Sequence, residues 1–255
     1  MISVLFALFG VIFGSFANVV ILRDDRRASI LTGRSECMHC HHELQWYELI
    51  PVLSYVSQGG KCRACHKHIS LQYPLVELAM GGLFYFASTL SVTVFPAALL
   101  AISFFFFFCA CIIDLRTQLI PVEYVLVAGV VGGLAQILLK TDLQSLVIGI
   151  VAGAGILAVI KYGWRLLMHQ DGMGEGDIWL GGALGALCPY PIILVALVSA
   201  IFAGAVLGIV ITSVKKGNWE RAIPFGPFLF FGALVALVWG NQLVTWYTGM
   251  SGITF

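Results

Sequence analysis

The chain has 255 residues, of which 60% are hydrophobic and 11% charged, with a net charge of +1 and a mean hydropathy of +0.96. A soluble domain averages roughly 25% charged residues, and a chain of this size cannot build a core large enough to hide so much apolar surface from water. The composition excludes a water-soluble globular domain and requires lipid as the main solvent.

A helix that crosses ~30 Å of hydrocarbon needs about 20 apolar residues. In chain order, spans are predicted at residues 1–22, 73–91, 96–113, 121–139, 143–164, 178–188, 191–213 and 225–247. The fold class is therefore an all-α polytopic membrane protein of about eight transmembrane helices with a small cytoplasmic loop domain. The first segment has no positive region before its apolar run and no small-residue cleavage site, so it reads as an anchor and not a signal peptide. The sixth is short, and a run of that length also suits a re-entrant segment.

The basic residues decide the sidedness. Thirteen of the 14 lie in loops after odd-numbered spans: Arg23, Arg26, Arg27, Arg34, Lys61, Arg63, Lys67, Arg116, Lys161, Arg165, Lys215, Lys216 and Arg221. Lys140 alone lies on the other side. The positive-inside rule puts those loops in the cytoplasm and both termini outside. Omitting the sixth span would move Lys215, Lys216 and Arg221 to the wrong side. The chain divides into a first transmembrane helix (1–22), a polar cytoplasmic loop (23–72) and a membrane core (73–255).

The loop holds four of the seven cysteines, as "CMHC" (Cys37, Cys40) and "CRAC" (Cys62, Cys65). Each C-x2-C turn brings two thiolates to one ion, and the 21 residues between the pairs are close to a ribbon separation of about 15–20. Four thiolates suit tetrahedral Zn²⁺. Two disulfides are the alternative, and a reducing cytoplasmic compartment argues against them. His39, His41, His42, His66 and His68 crowd the same loop as solvated or supporting residues. A loop this small would draw much of its folding free energy from the metal. Cys109, Cys111 and Cys188 read as small buried hydrophobes.

Ionisable groups inside spans mark function. Asp114 follows "FFFFFCACII" at the end of the third span, and Asp177 opens the sixth after "GMGEG". The topology puts both at similar depth on the cytoplasmic face. Taken alone, Asp177 reads as a helix N-cap and Asp114 as a partner for Arg116. Taken together, two facing carboxylates share a proton, so one can activate water while the other polarises a scissile carbonyl. Glu77 is a further acid on that side, whereas Glu123, Asp171 and Glu175 read as interfacial. "GMGEGD" follows no strand and lacks the dinucleotide spacing.

The ordered set "GSFANVVILR", "CMHC", "ELIPVLSYV", "GGKCRAC", "ISLQYPLVEL", "IIDLRTQLIP", "GMGEGD" and "IPFGPFLF" resembles the type IV prepilin peptidases, GxGD aspartic membrane proteases. The resemblance covers most of the chain. It implies cleavage of the short basic leader of membrane-held prepilins or pseudopilins, after a glycine at the cytoplasmic face, in the bacterial cytoplasmic membrane. It also implies Asp114 and Asp177 as the catalytic pair with no metal in the peptidase site, and methylation of the new N-terminus with S-adenosylmethionine as donor. No sequence fingerprint marks where that cofactor binds. The partners expected are lipid and prepilin precursors, with no nucleic acid.

Gly174 and Gly176 are expected to let an extended substrate lie against Asp177, using torsions other residues resist. Four positions depart from the family pattern. Trp179 stands where members carry Lys, Val122 where an acid is common, and Asp24–Asp25 where Leu-Pro is usual. Two rival readings remain at this level. One is a transporter with Asp114 and Asp177 as a cation site, although no related halves are visible. The other is a non-enzymatic scaffold of a pilus or secretion assembly built on the zinc loop.

Overall fold

A computed structural model of the protein describes residues 1–24, 35–170, 172–214 and 223–251. Arg26, Arg27, Arg34, Lys215, Lys216 and Arg221, and with them Asp25 and Asp171, lie outside the described residues. The expected helices all form: α1 (Ile2–Asp24), α3 (Gln72–Thr89), α4 (Val94–Thr117), α5 (Val122–Leu138), α6 (Leu143–Met168), α7 (Glu175–Leu187), α8 (Ile192–Val214) and α9 (Gly226–Ser251). The loop after α1 adds a 3₁₀ turn (Trp46–Glu48) and a short helix α2 (Leu53–Ser57). Two isolated β-bridges occur, with no strand among the described residues.

Five of these helices, α1, α4, α6, α8 and α9, are long and apolar enough to cross a membrane, and α5 is apolar but shorter. The protein is thus a multi-pass, all-helical membrane protein. The expectation of eight spans is not confirmed by length and composition. The reason is clearest in α7, whose 13 residues rise about 20 Å, less than the hydrocarbon thickness.

The chain forms two compact units, Met1–Phe105 and Phe106–Phe255. In the first, α1 packs along α3 through small residues that let the backbones meet. A Cβ on Gly14 would stand 2.5 Å from Glu77 Cα, and one on Gly10 would stand 2.6 Å from Met80 O. Asn18 Nδ2, buried on α1, donates to Tyr73 O at 3.2 Å. Phe13 lies against Phe84 and Phe105, with ring centroids at 5.5 and 5.9 Å.

The second unit is built around α7, which packs against α5, α6 and α9. Its residues at Asp177 and from Leu180 to Leu187 are buried, so protein covers most of it, while Trp179 faces outward. Such close contact needs glycine and alanine. Gly149 and Gly153 of α6 meet the backbones of Gly185 and Gly181, and Gly129 of α5 lies on Ala183. At the far end Gln136 Nε2 donates to Leu187 O at 2.6 Å, which satisfies a carbonyl that the helix end leaves open. α8 and α9 meet where Gly232 abuts Ala196 and Ala200. Left-handed residues end two of the helices that lead to the site: Gln118 (φ 57) after α4 and His169 (φ 55) after α6.

Candidate active and metal sites

In the loop, each C-x2-C forms a knuckle of the same design. The Cys37 N–H donates to His42 O and the His41 N–H to Cys37 O, both at 2.9 Å. In the second knuckle Cys62 donates to Lys67 O and His66 to Cys62 O, again at 2.9 Å. His41 and His66 take the left-handed turn position, each at φ 56. The four Sγ atoms lie within 4.8 Å of one another, with Cys37–Cys65 at 3.9 Å and Cys40–Cys62 at 4.0 Å. All four thiols are free. Sulfurs bound to one ion at about 2.3 Å stand ~3.8 Å apart, so the donor set fits a tetrahedral metal ion.

The electrostatics agree. Burial raises the Cys37 thiol, but hydrogen bonds from the backbone at His39 and Cys40 and from neighbouring thiols bring it down to about 7. Cys40 is lowered by a backbone hydrogen bond from His42, yet desolvation and the other thiols push it up to about 12. The first thiolate forms readily and opposes the next, a conflict that a dication relieves. The metal-competent group contains cysteines alone. His41 Nδ1 instead lies 3.2 Å from Glu36, and His42 Nε2 3.6 Å from buried Glu48.

Asp114 and Asp177 are brought together in the second unit. Asp114, 4% exposed, sits one turn before the end of α4. Its Oδ2 accepts the N–H of Gly226, 3.1 Å away in the first turn of α9. Asp177, 6% exposed, stands three residues past Gly174, the N-cap of α7. It is therefore not itself the N-cap but reaches back, its Oδ2 accepting the Gly174 N–H at 3.1 Å. Its Oδ1 is buried with no hydrogen-bond partner among the described residues. The two carboxylates lie close enough for each to feel the other's charge. Two buried acids, each held through one oxygen by a backbone N–H, have the chemistry to exchange protons with a water between them.

Gly174 has φ −68, and the positive-φ glycines among the described residues are Gly59 and Gly60. The glycines before Asp177 thus contribute space more than left-handed torsion. A Cβ on Gly176 would stand 2.7 Å from Ile120 Cβ, and one on Gly172 would stand 2.7 Å from the Trp164 ring. Phe225 and Phe228, flanking Gly226, line an apolar cavity with Ile201, Gly204, Ala205 and Ile223.

Two family profiles match the chain: the bacterial peptidase A24 N-terminal domain over residues 8–91 and the type IV leader peptidase family over residues 100–209. A prepilin leader peptidase/N-methyltransferase of Burkholderia pseudomallei (strain 1026b) is 34% identical, across 91% of this chain and 84% of its own length. The chain belongs to the type IV leader peptidase family. Proteins of the same name from Aeromonas salmonicida (strain A449) and Pseudomonas aeruginosa are 32% and 31% identical. These alignments cover 94% and 96% of this chain and 91% and 93% of theirs. No solved structure matches the chain.

Against this leader peptidase background, two residues stand out whose contacts sequence reasoning passed over, Lys161 and Gly226, beside Glu77, which it had noted as a further acid. Lys161, counted above as a loop cation, lies inside α6 with its side chain 5% exposed and Nζ 3.6 Å from Glu175 Oε1. A stripe at Gly153, Leu157 and Lys161, four apart, was the available signal. Gly226 carried no sequence hint of its contact with Asp114. In the first unit, Glu77 Oε2 accepts the Val52 N–H at 2.7 Å, where Val52 holds a φ of 61 that a β-branched residue rarely adopts. Trp179 is 53% exposed, away from the buried face that carries Asp177.

Proposed function

We propose that the protein is a membrane aspartic peptidase that removes the short basic leader of type IV prepilins or pseudopilins after a glycine, at the cytoplasmic face of the bacterial inner membrane. The observation that carries the reading is the pair of buried aspartates, Asp114 and Asp177, each anchored by one glycine N–H and each within the other's field. In the reaction, the ionised carboxylate takes a proton from water as its oxygen attacks the scissile carbonyl carbon. The protonated carboxyl gives its proton to the carbonyl oxygen. Collapse of the tetrahedral intermediate breaks the C–N bond: the proton taken from water goes to the departing amine, and a hydroxyl proton of the intermediate returns to the other carboxylate. Such a pair titrates as a unit. The apolar cavity beside Gly226 suits a hydrophobic residue following the cleaved bond.

Family membership and the names of the relatives support this reading over a transporter or a passive scaffold. They also support a second activity: methylation of the new N-terminal residue with S-adenosylmethionine as donor, a step to which we assign no residues. Zn²⁺ is the metal that best suits Cys37, Cys40, Cys62 and Cys65, with a structural task in the loop. The distribution of basic residues supports a cytoplasmic metal loop and external termini. The test is incubation of the purified protein with a prepilin-like substrate bearing a basic leader, a Gly–Phe junction and a hydrophobic stem. The expected product begins at the Phe and gains one methyl group when S-adenosylmethionine is added. An intact substrate would overturn the peptidase reading, and an unmodified product would overturn the methylation.

A further inference from the structure

α6 turns one face to the core, at Leu146, Gly149, Gly153, Leu157 and Lys161. The first four are apolar, and Gly149 and Gly153 touch the α7 backbone. The fifth is a lysine, while Ile160, Tyr162 and Trp164 around it are exposed. A lysine at the end of a membrane helix ordinarily extends its ammonium to the interface. Lys161 instead stays 5% exposed, and its ion-pair partner Glu175 is 81% exposed at 3.6 Å. Burial of a charge is costly unless it is compensated, and an exposed, loosely placed carboxylate compensates little. The second compensating group is Asp177, two residues along α7, whose charge interacts with that of Lys161.

We propose that Lys161 is a positioning residue of the peptidase centre: its buried ammonium, shared by Glu175 and Asp177, fixes the first turn of α7 and stabilises the ionised form of Asp177. The inference rests on the reading of Asp114 and Asp177 as the catalytic pair. It gives the two acids unequal surroundings. Burial and the Asp114 charge favour the protonated form of Asp177, and Lys161 opposes both. From the neighbouring elements, the charges facing Asp177 are Asp114 on α4 and Lys161 on α6. α9 carries no charged side chain over Gly226–Ser251, and the acid of α5, Glu123, is exposed. Glu175 shares the first turn of α7 with Asp177 and is turned outward.

The experiment uses the purified full chain with the prepilin-like substrate, reading kcat and KM across pH for Lys161→Met, Lys161→Arg and Glu175→Gln. Lys161→Met is expected to lower kcat at neutral pH at least ~10-fold with KM within about twofold, and to move the acid limb of the kcat profile to higher pH by about one unit. Lys161→Arg is expected to restore the limb and most of kcat. Glu175→Gln leaves the ammonium to Asp177 and is expected not to raise the limb. Lys161→Gln is read on the same limb if the methionine variant does not fold. A limb that stays in place in the uncharged variants would overturn the proposal, even with kcat reduced, because packing alone would then explain the loss. Failure of the underlying reading looks different: Asp114→Asn or Asp177→Asn would retain full activity.

Discussion

The backbone N–H of Gly226 donates to Oδ2 of Asp114 at 3.1 Å, across 112 residues of sequence. A helix N-terminus carries free N–H groups and partial positive charge, so the start of α9 both orients this carboxylate and satisfies one of its oxygens. The position tolerates no side chain, since a Cβ there would stand 2.7 Å from that oxygen and 3.4 Å from Leu180 Cδ2. Gly226→Ala is expected to displace Asp114 and lower kcat on the order of 10²-fold. The cost in stability should be only about 1–3 kcal/mol. A cleavage assay beside a thermal melt in detergent checks both.

The α6–α7 seam predicts the opposite balance. Gly153 and Gly181 approach backbone to backbone, and a β-branched side chain has nowhere to go. Gly153→Val is expected to cost more than the ~1–3 kcal/mol of an ordinary overpacked site, because a carbonyl and not a flexible side chain is in the way. It should appear as a lower melting temperature and loss of the folded protein, with the metal loop retained.

Metal content separates the cysteines from the histidines. Cys37→Ser/Cys62→Ser is expected to lose bound metal. His41→Gly and His66→Gly should keep it, since each histidine fills a left-handed turn position, φ 56, that glycine adopts without strain. Metal analysis of the purified variants decides between four thiolates and a mixed ligand set.

Glu77→Ala removes the acceptor of the Val52 N–H and leaves a strained residue unsupported. A part-buried donor without its partner costs about 1 kcal/mol, the low end of the range for buried groups. The expected result is faster proteolysis between Tyr47 and Gly60, measured against the unmodified protein.

The helices were legible because lipid demands long apolar runs, and each predicted span falls within a few residues of a helix. Their roles were less legible. The segment at 178–188 looked like a short crossing, and the structure shows why it is short: α7 is enclosed by α5, α6 and α9. Periodicity fails there because every position from Leu180 to Leu187, leucine, glycine or alanine, is buried. The cysteine knuckles were readable from local spacing, whereas the partners of Asp114 and Asp177 depended on which helices meet. Trp179 was the least explained departure in the GxGD region. It lies half-exposed, while a different cation, Lys161, reaches the site from α6.

The most direct measurement is cleavage of the prepilin-like substrate by Asp114→Asn and Asp177→Asn, with folding verified by retained metal and melting temperature. The account predicts that each substitution lowers kcat by at least about 10²–10⁴-fold with substrate binding preserved. Folded protein that cleaves at the unmodified rate with either aspartate replaced would contradict it.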